Sequence, residues 1–240
     1  MLPHFRAVSP ALVLIALLTA APSHGAPGPA GCGTGSYIAG TVDVCGGELV
    51  YRDYVYDDYG AQGFAQAPST GSLSNPTGTQ SYPNADHATV NNYADIAEVR
   101  LAVVGSGVLV SFQLNSLFDA SSTAVALAID TDDNPATGGG PWSDLVAFPD
   151  LPGTPLPLTS TGWDVLKVLE AGTPGAVLDT GANTISGLIP TAQLPPGALS
   201  AGHWRIQAVA AVASTRTVMN VAFRGTSETC LLYTSDAADE

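Results

Sequence analysis

Asp130, Asp132, Asp133 and Asn134 stand together at the end of an apolar run, TAVALAID, and are followed by Pro135 and the glycines 138–140. Oxygen-bearing side chains at alternating positions suit a hard cation such as Ca²⁺, which takes carboxylate and amide oxygens at about 2.3–2.6 Å. Asp130, Asp132 and Asn134 are therefore the candidate ligands. The run opens as an EF-hand loop does, but it has Pro135 at the position that needs glycine and Pro141 at the position that needs the closing acid. The same residues also read as a polar turn whose Asp and Asn side chains accept their own backbone N–H groups. Both readings stay open at this level.

Aromatic rings are the second source of chemistry. A flat exposed ring stacks on the apolar face of a sugar, and Tyr and Trp add a polar tip. Trp142 follows Gly138, Gly139, Gly140 and Pro141, which places it in a loop. Tyr59 and Tyr82 lie in the stretch 57–94, rich in Gly, Ser, Thr, Asn and Pro and without sustained periodicity. Trp142, Tyr82 and Tyr59 are the candidate glycan-binding residues, whereas Trp163 opens a strand and belongs to the core. Nucleophilic or metallopeptidase chemistry has no counterpart: there is no G-x-S-x-G elbow and no H-E-x-x-H pair. Beyond the first 26 residues only His87 and His203 occur, one in a polar loop and one beside Trp204. No catalytic residue is assigned, and this stretch of chain is expected not to be an enzyme.

The elements that must hold these groups are strands. In DIAEVRLAVV, Val99, Leu101 and Val103 alternate with Glu98, Arg100 and Ala102; after Gly105-Ser106-Gly107, Val108, Val110, Phe112 and Leu114 share one face. Period-two alternation around a Gly-containing turn predicts a hairpin with one buried face. TAVALAID (123–130) is apolar on both faces and is predicted to be a central strand. ELVYRDYVY (48–56), 163–169, 183–189, 203–213 and 220–224 supply further strands, and no segment keeps a helical period. Short strands separated by Gly/Pro turns predict an all-β, antiparallel β-sandwich forming a single domain over 48–229, after a Gly-rich segment 27–47.

Residues 1–26 combine His4 and Arg6, an apolar run 11–21 and a small-residue exit, the order of a secretory signal. Secretion makes Cys32 and Cys45, close in sequence, an expected disulfide. The third cysteine, Cys230, opens the segment CLLYTSDAADE (230–240), which resembles a transposon-end sequencing adapter translated in frame. On that resemblance the segment is an artefact expected to pack against nothing, and the natural protein continues beyond Thr229 into a domain not present here. Seven basic against 21 acidic residues give a formal net charge of −14, which repels nucleic acid and anionic lipid. Lys167 is the only lysine, and the abundance of Ala, Gly, Val and Pro points to a GC-rich, actinobacterial-type genome.

An ordered set of motifs resembles a known family. Asp57-Asp58-Tyr59-Gly60 is followed by Gly78-Thr79-Gln80-Ser81-Tyr82-Pro83 and Asn92-Tyr93-Ala94-Asp95-Ile96, then by the hairpin, Ala128-Ile129-Asp130-Thr131-Asp132, Trp163-Asp164 and Asn183-Thr184-Ile185. The set resembles the glucodextranase C-terminal module, a DOMON-like β-sandwich of secreted bacterial enzymes, over roughly 48–213. Gln80 and Ser81 stand where the family usually has an aromatic, and a polar insert separates Gly60 from Gly78. The resemblance implies a secreted, non-catalytic accessory module that binds polysaccharide or a cell-envelope glycan. It also places Asp57 and Asp58 near loop 78–83 and Asp95 at a strand start, a second acidic set able to share Ca²⁺ or to form a solvated surface. A second resemblance, of His203–Arg224 to the stretch that closes such modules in secreted actinobacterial proteins, implies the alternative: an N-terminal structural domain of a secreted α/β-hydrolase or peptidase-like serine enzyme.

Overall fold

The computed structural model describes residues 40–45, 47–53, 55, 93–134, 136–139, 162–200, 203–216, 218–222 and 231–234; for Cys45, Ser200, His203 and 231–234 it describes the backbone alone. Eleven strands are found among them: β1 (Thr41–Cys45), β2 (Glu48–Arg52), β3 (Ile96–Val104), β4 (Gly107–Leu114), β5 (Thr123–Asp130), β6 (Val165–Leu169), β7 (Val177–Asp179), β8 (Thr184–Pro190), β9 (His203–Val212), β10 (Val218–Ala222) and β11 (Leu231–Thr234). One sheet runs β1-β2-β3-β4-β8-β7 and the other β10-β9-β5-β6, with β11 also on β9. Every pairing is antiparallel. The chain crosses between sheets after β4, β6 and β8, and this two-layer, all-β arrangement is the expected sandwich.

The alternation that predicted the first hairpin sets its register. Val99 opposes Phe112 and Leu101 opposes Val110, and all four are buried, while Arg100 opposes Ser111 on the other face. On that outer face Arg52 bonds Asp43 and lies 3.8 Å from Glu98, and Arg100 reaches Glu98 at 2.5 Å and Glu48 at 3.3 Å. The turn between β3 and β4 requires glycine at 107: its φ is 149°, and a Cβ there would lie 2.0 Å from the Ile189 carbonyl oxygen. Close approach of the two sheets shows at Gly187, where an added Cβ would stand 2.5 Å from a Leu169 methyl.

β5 is buried along its whole length, between β9 and β6. Val125, Leu127 and Ile129 share the Leu169 face, toward the first sheet; Ala124, Ala126, Ala128 and Asp130 face the opposite way and are buried as well. A strand buried on both faces has no polar period, which is why TAVALAID reads as continuous apolar sequence.

Three strands lie outside the sequence expectations. β1 falls in the segment assigned to a Gly-rich lead, so the sandwich takes in Thr41–Cys45 through pairing with β2. β7 spans only three residues, too few for periodicity to register. β11 corrects the expectation that 230–240 pack against nothing: Leu231 pairs Ile206 and Thr234 pairs His203. The reason is geometric. β9 has ten residues, β10 pairs only Ala208–Ala211, and the remaining edge of β9 offers N–H and C=O groups to any extended segment. Leu, Tyr and Thr favour that conformation whatever the origin of the sequence.

Candidate metal centre

Asp130 ends β5 with a fully buried carboxylate. Across β9 its register partner is Arg205. On the other side Ile129 pairs Val165, so Asp164, whose N–H donates to the Ile129 carbonyl at 2.9 Å, stands opposite Asp130. Arg205, Asp130 and Asp164 thus form one row across three strand ends. Asp132 completes the cluster: Asp130, Asp132 and Asp164 each offer a carboxylate oxygen, all within 4.8 Å of one another. That span fits oxygens on opposite sides of one ion at about 2.4 Å.

The turn after β5 is built by its own side chains. Asp130 Oδ1 accepts the N–H groups of Asp132 (3.2 Å) and Asn134 (3.3 Å), and Asp132 Oδ1 accepts Asn134 N–H at 3.1 Å. Thr137 donates its hydroxyl to Asp132 at 2.9 Å, and Asp164 Oδ2 accepts from Thr131 N–H (2.8 Å) and hydroxyl (2.6 Å). Asp133 takes a left-handed φ of 51°, a conformation Asp tolerates in turns. The limb 136–139 is then stapled to 162–163: Gly139 N–H donates to the Trp163 carbonyl at 2.9 Å and Gly162 N–H to the Gly139 carbonyl at 3.0 Å. Gly138, at φ 74°, passes so close to Gly162 that a Cβ would meet its backbone at 2.9 Å.

Among the described residues, one of these three carboxylates, Asp130, pairs with a guanidinium. Arg205 donates Nε (3.1 Å) and Nη2 (2.8 Å) to Asp130 Oδ2, with its guanidinium carbon 4.6 Å from the centre of the buried Trp163 ring. Burial, and then the hydrogen bond with the Asp132 side chain, push the Asp130 carboxyl above the usual carboxylate range. The Thr137 hydroxyl holds exposed Asp132 below it. Carboxylates this close call for a cation or a shared proton, and the donor set is all hard oxygen, as Ca²⁺ prefers.

Of the sequence-predicted ligands, Asp130 and Asp132 are in the cluster. Asn134 is in the turn, where its side-chain oxygen accepts the Ala136 N–H at 3.1 Å. Asp164 and Arg205 join from 34 and 75 positions further along the chain, and no local pattern announces them; the motif Trp163-Asp164 was the only trace. Asp95 is not part of a solvated acidic surface: it is fully buried, and its Oδ2 accepts Asn115 Nδ2 at 2.9 Å. A third buried carboxylate, Asp53, which the sequence did not single out, accepts the Tyr51 hydroxyl at 3.0 Å. Asp57, Asp58, Tyr59, Tyr82, Trp142 and Cys32 lie outside the described residues, as does the side chain of Cys45. Trp163 is core, as expected, at 2% exposure.

No family model matches the chain, and no curated protein matches it.

Proposed function

We propose that this chain is a secreted, non-catalytic β-sandwich module that binds a neutral polysaccharide or cell-envelope glycan, with Ca²⁺ held by Asp130, Asp132 and Asp164. One observation carries the reading. Gly139 and Gly162, which flank in sequence the segment that contains Trp142, are stapled together directly beside the acidic cluster. An ion there neutralises the carboxylates at the root of that segment and fixes the two limbs that carry the ring. Binding energy of a glycan then goes into contact rather than into ordering a loop. The formal net charge of −14 turns away nucleic acid and anionic lipid and leaves neutral glycans as the fitting class.

The test is glycan binding by the full chain with Ca²⁺ and with chelator, alongside Trp142→Ala and Asp132→Ala. Retention on insoluble polysaccharide or isolated cell wall should drop in chelator and in both variants. Retention by wild type that ignores chelator removes the ion from the reading; no retention on any glycan removes the function.

A further inference from the structure

The loop between β4 and β5 lies at the end of the sandwich opposite the acidic cluster, and it is pinned along its length. Asn115 N–H donates to the Asp95 carbonyl at 2.8 Å. Leu117 is fully buried, with its N–H on Asn183 Oδ1 at 2.9 Å. Asp119 Oδ1 accepts both the N–H and the hydroxyl of Ser121 at 2.8 Å, and Ser122 Oγ donates to the Asp119 carbonyl at 2.6 Å. Between Leu117 and Asp119 the loop presents Phe118, 75% exposed, against 55% for Val103, the next most exposed large apolar residue among those described.

A phenyl ring left in water gives up roughly 1.5–3 kcal/mol of burial. On a mobile loop that would mean little; here the ring is held in place by a backbone already ordered, the condition under which a contact residue loses least entropy on binding. Its surroundings select the partner. Protein hot spots sit within a water-excluding rim around a desolvated centre, but the neighbours of Phe118 in this loop are exposed Asp119, half-buried Ala120 and exposed Ser121. Nucleobases also stack on aromatic rings, yet Asp119 and the net charge of −14 repel their phosphates. A pyranose offers an apolar C–H face with hydroxyls around its rim, the complement of a ring beside a carboxylate and a hydroxyl. The backbone N–H and then the hydroxyl of Ser121 hold the Asp119 carboxyl below its usual range, so it stays an ionised acceptor.

We propose that Phe118 is a sugar-stacking residue, with Asp119 accepting a hydroxyl of the same sugar, forming a glycan contact at the end of the sandwich away from the acidic cluster. The inference rests on the glycan-binding reading. It is tested on the full chain by calorimetric titration with maltoheptaose, laminarihexaose, xylohexaose and solubilised peptidoglycan fragments. For whichever probe wild type binds, Phe118→Ala should weaken affinity about tenfold, a loss typical of a contact residue, and Phe118→Tyr should restore it. Thermal unfolding of Phe118→Ala should match wild type, because the ring packs on little. A Phe118→Trp variant should change its emission on adding that probe. Unchanged affinity in Phe118→Ala overturns this inference and leaves the glycan reading standing; a large fall in its melting temperature makes the ring structural and overturns it as well. Failure of wild type to bind any probe sinks both.

Discussion

Arg205 stands directly opposite Asp130 across the β5–β9 pair and gives two hydrogen bonds, from Nε and Nη2, to a single oxygen, Oδ2. The other oxygen of Asp130 is occupied by backbone N–H groups of the turn that follows. One buried carboxylate therefore ties β9 to the root of the acidic loop, and its electrostatic balance decides how that end of the molecule responds to ions and to pH.

Calcium should stabilise the folded chain. An ion bound only by the native state adds about 2.7 kcal/mol at a concentration a hundredfold above its dissociation constant. The melting temperature should rise with added Ca²⁺ and fall back with chelator. Asp132→Ala and Asp164→Ala should each abolish that response, while Asn134→Ala should keep most of it. A melt indifferent to Ca²⁺ in the wild type leaves Asp130, Asp132 and Asp164 as a self-capped turn.

The pH dependence follows from Asp130. Its folded pKa lies above the unfolded value of about 3.9, because of burial first and the Asp132 contact second. The folded state then holds the proton more tightly than the unfolded state does. That contribution to stability is fully present below the unfolded pKa and is lost as pH rises through the raised one. Urea midpoints measured in chelator across this range should show the slope, and Asp130→Asn should flatten it. Ca²⁺, which binds the deprotonated form, should also flatten it. An Asp130→Asn profile parallel to wild type would show that other groups set the slope.

A further ion pair joins the β9–β10 turn to the end of β6. Arg216 Nη1 and Nη2 reach Glu170 at 2.5 and 2.7 Å, from a backbone held at φ 61°. The pair is part exposed, with side-chain exposures of 35% and 24%, so its loss should cost no more than about 1 kcal/mol. Arg216→Gly loses the same pair but relieves the left-handed strain of about 1–2 kcal/mol. It should therefore be at least as stable as Arg216→Ala in a denaturant series. The reverse order would mean that left-handed strain at position 216 does not govern the stability of the turn.

The β9 edge gives a test of the C-terminal segment. Deleting 231–240 should strip hydrogen-exchange protection from amides within His203–Ile206 while leaving β5 protected, and should promote self-association visible in light scattering, since an open strand edge templates pairing. Equal protection in the shortened chain would show that β11 does not hold this edge in solution.

Residue order alone carried the class of fold and most of the strands. Alternation at 96–114 specified a half-buried hairpin, and unbroken apolarity at 123–130 specified the central strand, because both signals are local and repeat within a few residues. The same held for Asp130 and Asp132, two positions apart at a strand end. What the chain could not show locally is what only pairing between distant strands creates. Asp164 and Arg205 reach Asp130 through the β5–β6 and β5–β9 registers; Asp95 becomes an interior group through Asn115; and Leu231–Thr234 find the half of β9 that β10 leaves open. Strand pairing obeys backbone geometry that nearly every residue type can satisfy, so partners far apart in sequence carry no mutual signature, and the cluster's charge balance exists only once the sheet has closed.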